Sequence, residues 1–477
     1  MENKKFKWWH LATIAISILI GLSYAGLKPA WWDEMLYVDP GVHLALEGRM
    51  FSTAWTTNSP HELWGSSNPG IPLLFASWFK VFGFGFIQSR ILFFLIYLSG
   101  VYFFFSWIRN KFNSSPWALA LGISGSLILP SLAEPINNLR LEVLAYPLFT
   151  LFLYYTWTDK ENIFLNWIAP ILLGFLTVLF GFHFTTFFVL AAGIAILLKR
   201  DKTTVLRAVA LATGIVLGMI ILWAVYKQLG MWDTFMASRL SHIGKQLRWC
   251  PTGFKKLTIL KDWWVFIALA VIGFFGNFRQ NRSQWLPWVL AIAAFFTIPY
   301  IISSIGIYYR AYIWMVSLPM ILCFYYSENS LKGWYLNFSI ILLSFSLIDS
   351  VQYKLRYSRA LYKINQHQDR ILKIVHEKFP EGTSVIANSN FYYDLTSHRF
   401  TVYPHLDPDA GTIFGYKQDY FFPQNIRDQV KCIIITSDEM KKYPTIFNIA
   451  SGWTLLGKFP GPSKEDAANE INIFVRD

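Results

Sequence analysis

The sequence reads as a mainly α-helical, polytopic membrane protein of about eleven transmembrane helices, followed by a small C-terminal α/β domain on the outer face. Hydrophobic residues make up 54% and aromatic residues 18% of its 477 positions. That is too apolar for a chain of this length unless much of it faces lipid. Apolar runs recur from Leu11 to Asp349, and after Gln352 the composition turns globular. The expected division is a membrane region at 1–353 and a soluble domain at 354–477.

The first run, Leu11 to Leu27, follows the basic opening MENKKFK and has the outline of a signal peptide. With its flanks it is long enough to span, so it is expected to remain as the first helix. Further runs of near-span length lie at Phe86–Trp107, Trp117–Ala133, Val143–Trp157, Leu165–Phe180, Thr185–Leu198 and Val205–Tyr226. The series ends with Trp263–Phe278, Trp285–Ser303, Ala311–Tyr326 and Trp334–Asp349. Between the first two, Asn68–Gly83 is also apolar, but it is short and carries Pro69, Gly70 and Pro72. It suits a helix lying at the interface, and counting it as a span would invert everything downstream.

Charge tests this arrangement. Lys and Arg outnumber Asp and Glu by 42 to 29, yet the excess is spread over loops between apolar runs, so topology explains it and a nucleic-acid partner does not. With a cytoplasmic amino terminus, the inner loops hold Lys4, Lys5, Lys7, Arg109, Lys111, Lys160, Lys199, Arg200, Lys202, Arg279, Arg282 and Lys332. The short outer loops keep little beyond Arg140 and Arg310, as the positive-inside rule requires. Two longer outer segments remain, Lys28–Gly85 and Lys227–Asp262, of which the second is basic against the rule. An odd number of spans places the C-terminal domain outside as well. Within that domain, Ser384–Ala387 and Cys432–Thr436 read as short buried strands. Cys250, Cys323 and Cys432 are the only cysteines, too few and too irregularly spaced for a disulfide framework or structural zinc.

The most informative stretch is PAWWDEMLYVDPGVHLALEGRM, directly after the first span. Asp33 and Glu34 sit there beside Trp31 and Trp32 at the expected membrane surface. Interfacial Trp is ordinary anchoring, and exposed acids next to it can be merely solvated. Tyr37, Ala45 and Gly48 follow at helix-like spacing, however, and an outer-face helix would hold both acids at a fixed depth where a lipid-linked substrate arrives.

The ordered pattern Asp33-Glu34, Tyr37, Gly48, Asn68-Pro69 through Phe82-Gly83 and Arg90 resembles the polyprenyl-phosphate-dependent transferases of the GT-C superfamily. These include glycosyltransferase family 39, the protein O-mannosyltransferases and the lipid A aminoarabinose transferases. The similarity continues through Arg140, Glu142 and Pro147, through Arg310, Tyr312 and Pro319, and into Tyr392–Arg399, which resembles a strand-and-turn segment of the family's outer domain. Each motif is short, and their order along most of the chain makes the resemblance specific.

The resemblance implies a polyprenyl-phosphate sugar donor, a lipid, protein or glycan acceptor, membrane lipids as surroundings, and transfer with inversion. It implies a multi-pass protein of a bacterial inner or plasma membrane with its active site outside the cytoplasm. The chemistry asks for a base to take the acceptor proton as the new bond forms, and Asp33 is the candidate. Glu34 and Glu142 would shape its field. Negative charge develops on the departing phosphate, so cations must stand near it. Arg310, Lys245, Arg248, Arg239 and Arg140 are the candidates, with attraction to anionic headgroups as the alternative use of the basic segment around Arg239, His242, Lys255 and Lys256.

A divalent metal ion held by Asp33, Glu142 or Glu62 is left open. Some relatives carry an acid and a lysine where this chain has Ser67 and Asn68, and His61-Glu62 is a weak ligand pair. Asp407-Pro408-Asp409 has the form of a nucleotide-sugar metal motif but fits an ordinary turn. Trp31-Trp32-Asp33 is similar to an oligosaccharyltransferase signature that belongs to a soluble domain rather than to a segment after the first helix. The rival functions are a transporter or flippase of lipid-linked sugars and a membrane-anchored binding protein. The acids cluster at span ends rather than mid-membrane, and no internal repeat marks two halves, which favours the enzyme.

Overall fold

The computed structural model describes residues 6–30, 32–54, 68–112, 116–129, 136, 139–157, 161–181, 184–233, 235–236, 334–404, 429–442, 452–461 and 470–476. The chain forms two compact units. One comprises Met1–Ser23 with Phe93–Lys354, the other Tyr24–Leu92 with Leu355–Asp477.

The helices fall where apolar runs are expected. They are α1 Trp8–Leu27, α2 Trp32–Leu46, α3 Gly70–Phe82, α4 Phe86–Phe112, α5 Pro116–Ile128 and α6 Glu142–Trp157. A π-helical turn at Phe164–Ile168 runs into α7 Ala169–Gly181, and α8 Thr185–Lys199, α9 Lys202–Gln228 and α10 Trp334–Lys378 follow. Among the described residues four helical stretches are long and apolar enough to cross a membrane: Trp8–Leu27, Phe86–Arg109, Phe164–Gly181 and Lys202–Gln228. The expected spans at Trp263–Phe278, Trp285–Ser303 and Ala311–Tyr326 lie outside the described residues.

In the first unit, α6 to α9 bury Phe149, Phe152, Leu173, Phe184, Phe188 and Leu211 against one another. Small residues bring α7 and α9 close: a Cβ on Gly174 would meet Leu211 O at 2.3 Å, and one on Gly214 would meet Ile171 O at 2.0 Å. Backbones that near leave no room for any side chain, which is the usual geometry of helix pairs in lipid. Arg207 of α9 is buried and donates to Tyr155 O and, at 3.0 Å, to Asn166 Oδ1. A charged side chain in an apolar helix is thereby satisfied by neighbouring polar atoms.

In the second unit, α2 and α3 form a pair. Gly41 lets them touch, since a Cβ there would lie 2.5 Å from Phe75 Cβ and 3.1 Å from Pro72 O. The 13 residues of α3 rise only about 20 Å, too short for a crossing. It ends at Gly83 in a positive-φ conformation, 79°, which glycine adopts without strain.

The 45-residue α10 extends well past Asp349, where the last span was expected to end, because helix-favouring residues such as Arg356, Leu361, Gln366 and Lys373 follow with neither glycine nor proline. The sheet comes after it: β1 Ser384–Ala387, β2 Thr401–Pro404, β3 Val430–Thr436, β4 Thr454–Phe459 and β5 Ile471–Val475, in the order β2-β1-β3-β5-β4. β1 runs parallel to β2 and β3, whereas β5 is antiparallel to β3 and β4. Ile386, Tyr403, Val430, Ile433 and Ile435 form its core. The short helix α12 Ser437–Lys442 follows β3.

Tyr392–Arg399, expected as a strand and turn, is instead mostly helical: α11 spans Ser389–Ser397 between β1 and β2. Asn388 caps it by accepting from the Asn390 amide at 3.2 Å, and Tyr392, Tyr393, Leu395 and Thr396 are buried at helical spacing.

Candidate active site

The second unit assembles its polar interior around α2. Asp33 and Glu34 occupy the first turn of this helix, where unpaired backbone amides and the helix dipole favour negative charge. Glu34 is fully buried, and its Oε1 accepts from Arg90 Nη2 at 2.6 Å. Arg90, also buried, reaches from α4, approaches Pro29 O at 3.4 Å and lays its guanidinium 4.9 Å from the centre of the Phe86 ring. Because both charges are desolvated, losing one partner would cost about 3–5 kcal/mol. The pair therefore fixes the start of α2 against the start of α4, with Asp33 as the neighbouring position in the same turn.

Tyr393 adjoins this pair. It stacks on Phe84 at 5.7 Å and meets Phe86 edge-on at 5.3 Å. Burial and the Glu34 charge push its phenol well above the ordinary range, more than Arg90 and Ser89 offset, so it stays neutral at physiological pH.

One turn further along α2, Asp39 is fully buried. Its Oδ2 accepts from Ser52 Oγ at 2.8 Å, the Thr53 amide at 2.7 Å and the Ala54 amide at 3.1 Å. Its Oδ1 accepts from the Tyr392 hydroxyl of α11. His43, four residues on, places Nε2 3.6 Å from Asp39 Oδ1 and Nδ1 2.7 Å from Glu47 Oε1. Burial alone would raise the Asp39 pKa, but the His43 charge and these hydrogen bonds outweigh it and hold the carboxyl below its usual range. Burial works against a charged His43 too, yet Asp39 and Glu47 push its pKa up to about 9. The two side chains form an ion pair at neutral pH. Two further bonds hold the beginning of the unit: Ser389 Oγ donates to Ala30 O at 2.9 Å, and Asn365 Nδ2 to Leu27 O at 3.1 Å.

The expected site residues fall into three groups. Asp33 and Glu34 belong to the second unit, on α2. Arg140 and Glu142 belong to the first, where Glu142 opens α6 and Arg140 O accepts from the Val143 amide at 3.1 Å. Glu62, Arg239, Lys245, Arg248 and Arg310 lie outside the described residues, as do His61, Asp407 and Asp409. Sequence reasoning passed over Asp39 and His43, and took Tyr392 only as the first residue of a segment resembling a strand and turn. An acid and a histidine four apart on a helix were a readable sign of the first two, whereas nothing local links either to Tyr392.

No family model matches the chain, and no curated protein matches it. Solved structures do. ArnT from Cupriavidus metallidurans, in its crystal structure bound to undecaprenyl phosphate, has a TM-score of 0.63 at 12% identity, with 98% of this chain and 97% of that chain covered. The apo crystal structure of the same protein gives 0.64 at the same identity and coverage. The arabinofuranosyltransferase AftD from mycobacteria, solved by cryo-electron microscopy, gives 0.55 at 12% identity and covers 100% of this chain and 40% of that one. This chain thus shares the fold of ArnT over nearly its whole length, and it matches a part of AftD.

Proposed function

We propose that the protein is a membrane glycosyltransferase that moves a sugar from a polyprenyl-phosphate donor to an acceptor hydroxyl outside the cytoplasm, with inversion. The observation that carries this reading is the acid-bearing first turn of α2, anchored through Glu34 to Arg90 in a chain with the fold of ArnT. The undecaprenyl phosphate bound to ArnT supports a carrier of that chemistry as donor.

In this mechanism the Asp33 carboxylate takes the proton of the acceptor hydroxyl while the acceptor oxygen attacks the anomeric carbon. The bond from that carbon to the phosphate oxygen breaks on the opposite face, and its electron pair leaves with the polyprenyl phosphate. Arg310, Lys245, Arg248, Arg239 and Arg140 are the cations proposed to receive the charge that develops on the phosphate. Glu34, engaged with Arg90, acts by positioning α2 rather than by touching substrate.

Incubating the purified protein with radiolabelled polyprenyl-phosphate sugars and candidate acceptors tests the reading. Cleavage of the sugar–phosphate bond with label moved to acceptor is expected. Asp33→Asn should lower turnover by about 10²–10⁴-fold, the usual contribution of a general base, at an unchanged melting temperature. Wild-type turnover in that variant would remove Asp33 from the role. Binding or transbilayer movement of the lipid without bond cleavage would favour a flippase.

A further inference from the structure

We infer that the C-terminal domain carries a binding site for a borderline divalent cation of the zinc, cobalt or nickel class, built from His376, Asp394 and His398. His376 stands near the end of α10. Asp394 lies on α11, and His398, four residues on, caps that helix, so the two share one face. His376 Nε2 is 2.6 Å from Asp394 Oδ1, and His398 Nδ1 is 3.5 Å from the same oxygen. The two imidazole centres are 4.2 Å apart, and one donor atom from each of the three residues falls within 4.8 Å of the others.

A tetrahedral ion with bonds of about 2.0–2.1 Å needs its ligands roughly 3.3 Å apart. The His376–Asp394 separation of 2.6 Å is a hydrogen bond that has to open by about 0.7 Å to reach this spacing, and His398, whose side chain is 54% exposed, has to exchange its Nδ1 bond to Asp394 O at 2.9 Å for the ion. The donor set of two nitrogens and one carboxylate oxygen suits zinc-class ions and not magnesium or calcium, which prefer all-oxygen shells.

The surroundings leave room for a fourth ligand. A cavity of about 410 Å³ opens beside the cluster, lined by Asp369, Leu372, Lys373, His376, Glu377 and Asp394. Lys373 is the cation among these residues, and it pairs with Glu377 at 3.9 Å. Water, or the Asp369 carboxylate, would complete the shell. An ion here would tie α10 to α11, the helix whose Tyr392 bonds Asp39. This site is separate from the proposed chemistry at Asp33 and does not depend on it.

Cobalt serves as the probe. The full-length, tag-free protein, stripped with EDTA and dialysed, is titrated with Co²⁺ while its visible absorption is followed. One equivalent should give the strong bands of a tetrahedral ion, Zn²⁺ should displace it, and excess Mg²⁺ or Ca²⁺ should not. His398→Ala, at the most exposed ligand, and Asp394→Asn should each weaken binding by about tenfold or more at unchanged helical content. Absence of the bands in the wild type, or equal affinity in both variants, would overturn the site.

Discussion

Asp39 and Glu34 are buried carboxylates of α2, each answered in a different way. Glu34 has a formal counterion in Arg90, and the isosteric Glu34→Gln removes that charge and leaves the guanidinium buried. A loss of about 3–5 kcal/mol is expected, read as a lower unfolding midpoint together with lower activity. The contrast with Asp33→Asn, which should lose activity alone, separates anchoring from chemistry in two adjacent residues. Asp39 relies on hydrogen bonds plus His43, and this makes the unit's stability depend on pH. The His43 pKa is raised from 6.5 to about 9 on folding, so its contribution is complete below about pH 6.5 and is lost as the pH rises through 9. The Asp39 pKa is lowered from 3.8, so its contribution is present above that value and disappears as the pH falls through the folded-state value. Melting curves between pH 6 and 10 should therefore fall toward the alkaline end, and His43→Gln should flatten that fall. An unchanged slope in the variant would remove the pair from the ledger of pH-sensitive contacts.

At the level of elements, the approach of α7 to α9 depends on Gly174 and Gly214. Gly214→Ala forces a methyl group against Ile171 O, 2.0 Å from the Cβ position, so the helices must separate. A loss of about 1–3 kcal/mol is expected, the usual effect of overpacking, visible as a lower melting temperature in detergent. Gly193 on α8 is the control. A Cβ there meets nothing within 4 Å among the described residues, so Gly193→Ala should be neutral or stabilise by up to about 1 kcal/mol through helix propensity.

The elements themselves were largely readable. α1, α4, α6 and α9 begin and end close to their apolar runs because unbroken hydrophobicity over some twenty residues has few other uses. α11 was misread because its residues resemble a strand-and-turn segment, while the Asn388 cap and the tertiary burial of one helical face decide otherwise. The end of α10 was missed because hydropathy falls after Asp349 while helix propensity does not. Of the candidate site, the adjacent acids and Arg90 were visible as a motif. Their pairing was not, since residues 34 and 90 meet only once α2 and α4 are folded.

On the scale of the whole molecule, three helices cross from one compact unit into the other. α1 does so between Ser23 and Tyr24, α4 between Leu92 and Phe93, and α10 between Lys354 and Leu355. The bonds from Tyr392 to Asp39 and from Ser389 to Ala30 require the first loop and the C-terminal domain to share one face of a membrane. If α1 and α10 are both crossings that exit there, the total number of crossings is odd. In a cysteine-depleted background, Glu47→Cys and Lys373→Cys should therefore react alike with a membrane-impermeant thiol reagent in intact cells. Lys202→Cys should react only after permeabilisation. Opposite labelling at positions 47 and 373 would contradict the shared face.

The sequence separations of these contacts set the order of biogenesis. Asp39 and Tyr392 are 353 residues apart, Ala30 and Ser389 are 359, and Leu27 and Asn365 are 338. At a ribosomal rate of about 5–20 residues per second, the first loop waits roughly 20–70 s for the partners that complete its interior. Until then its carboxylates remain hydrated and its aromatic faces open to chaperones and proteases. A chain stopped before α11 would insert its spans yet never finish the loop that carries Asp33, so nonsense mutations late in the message should be as damaging as early ones.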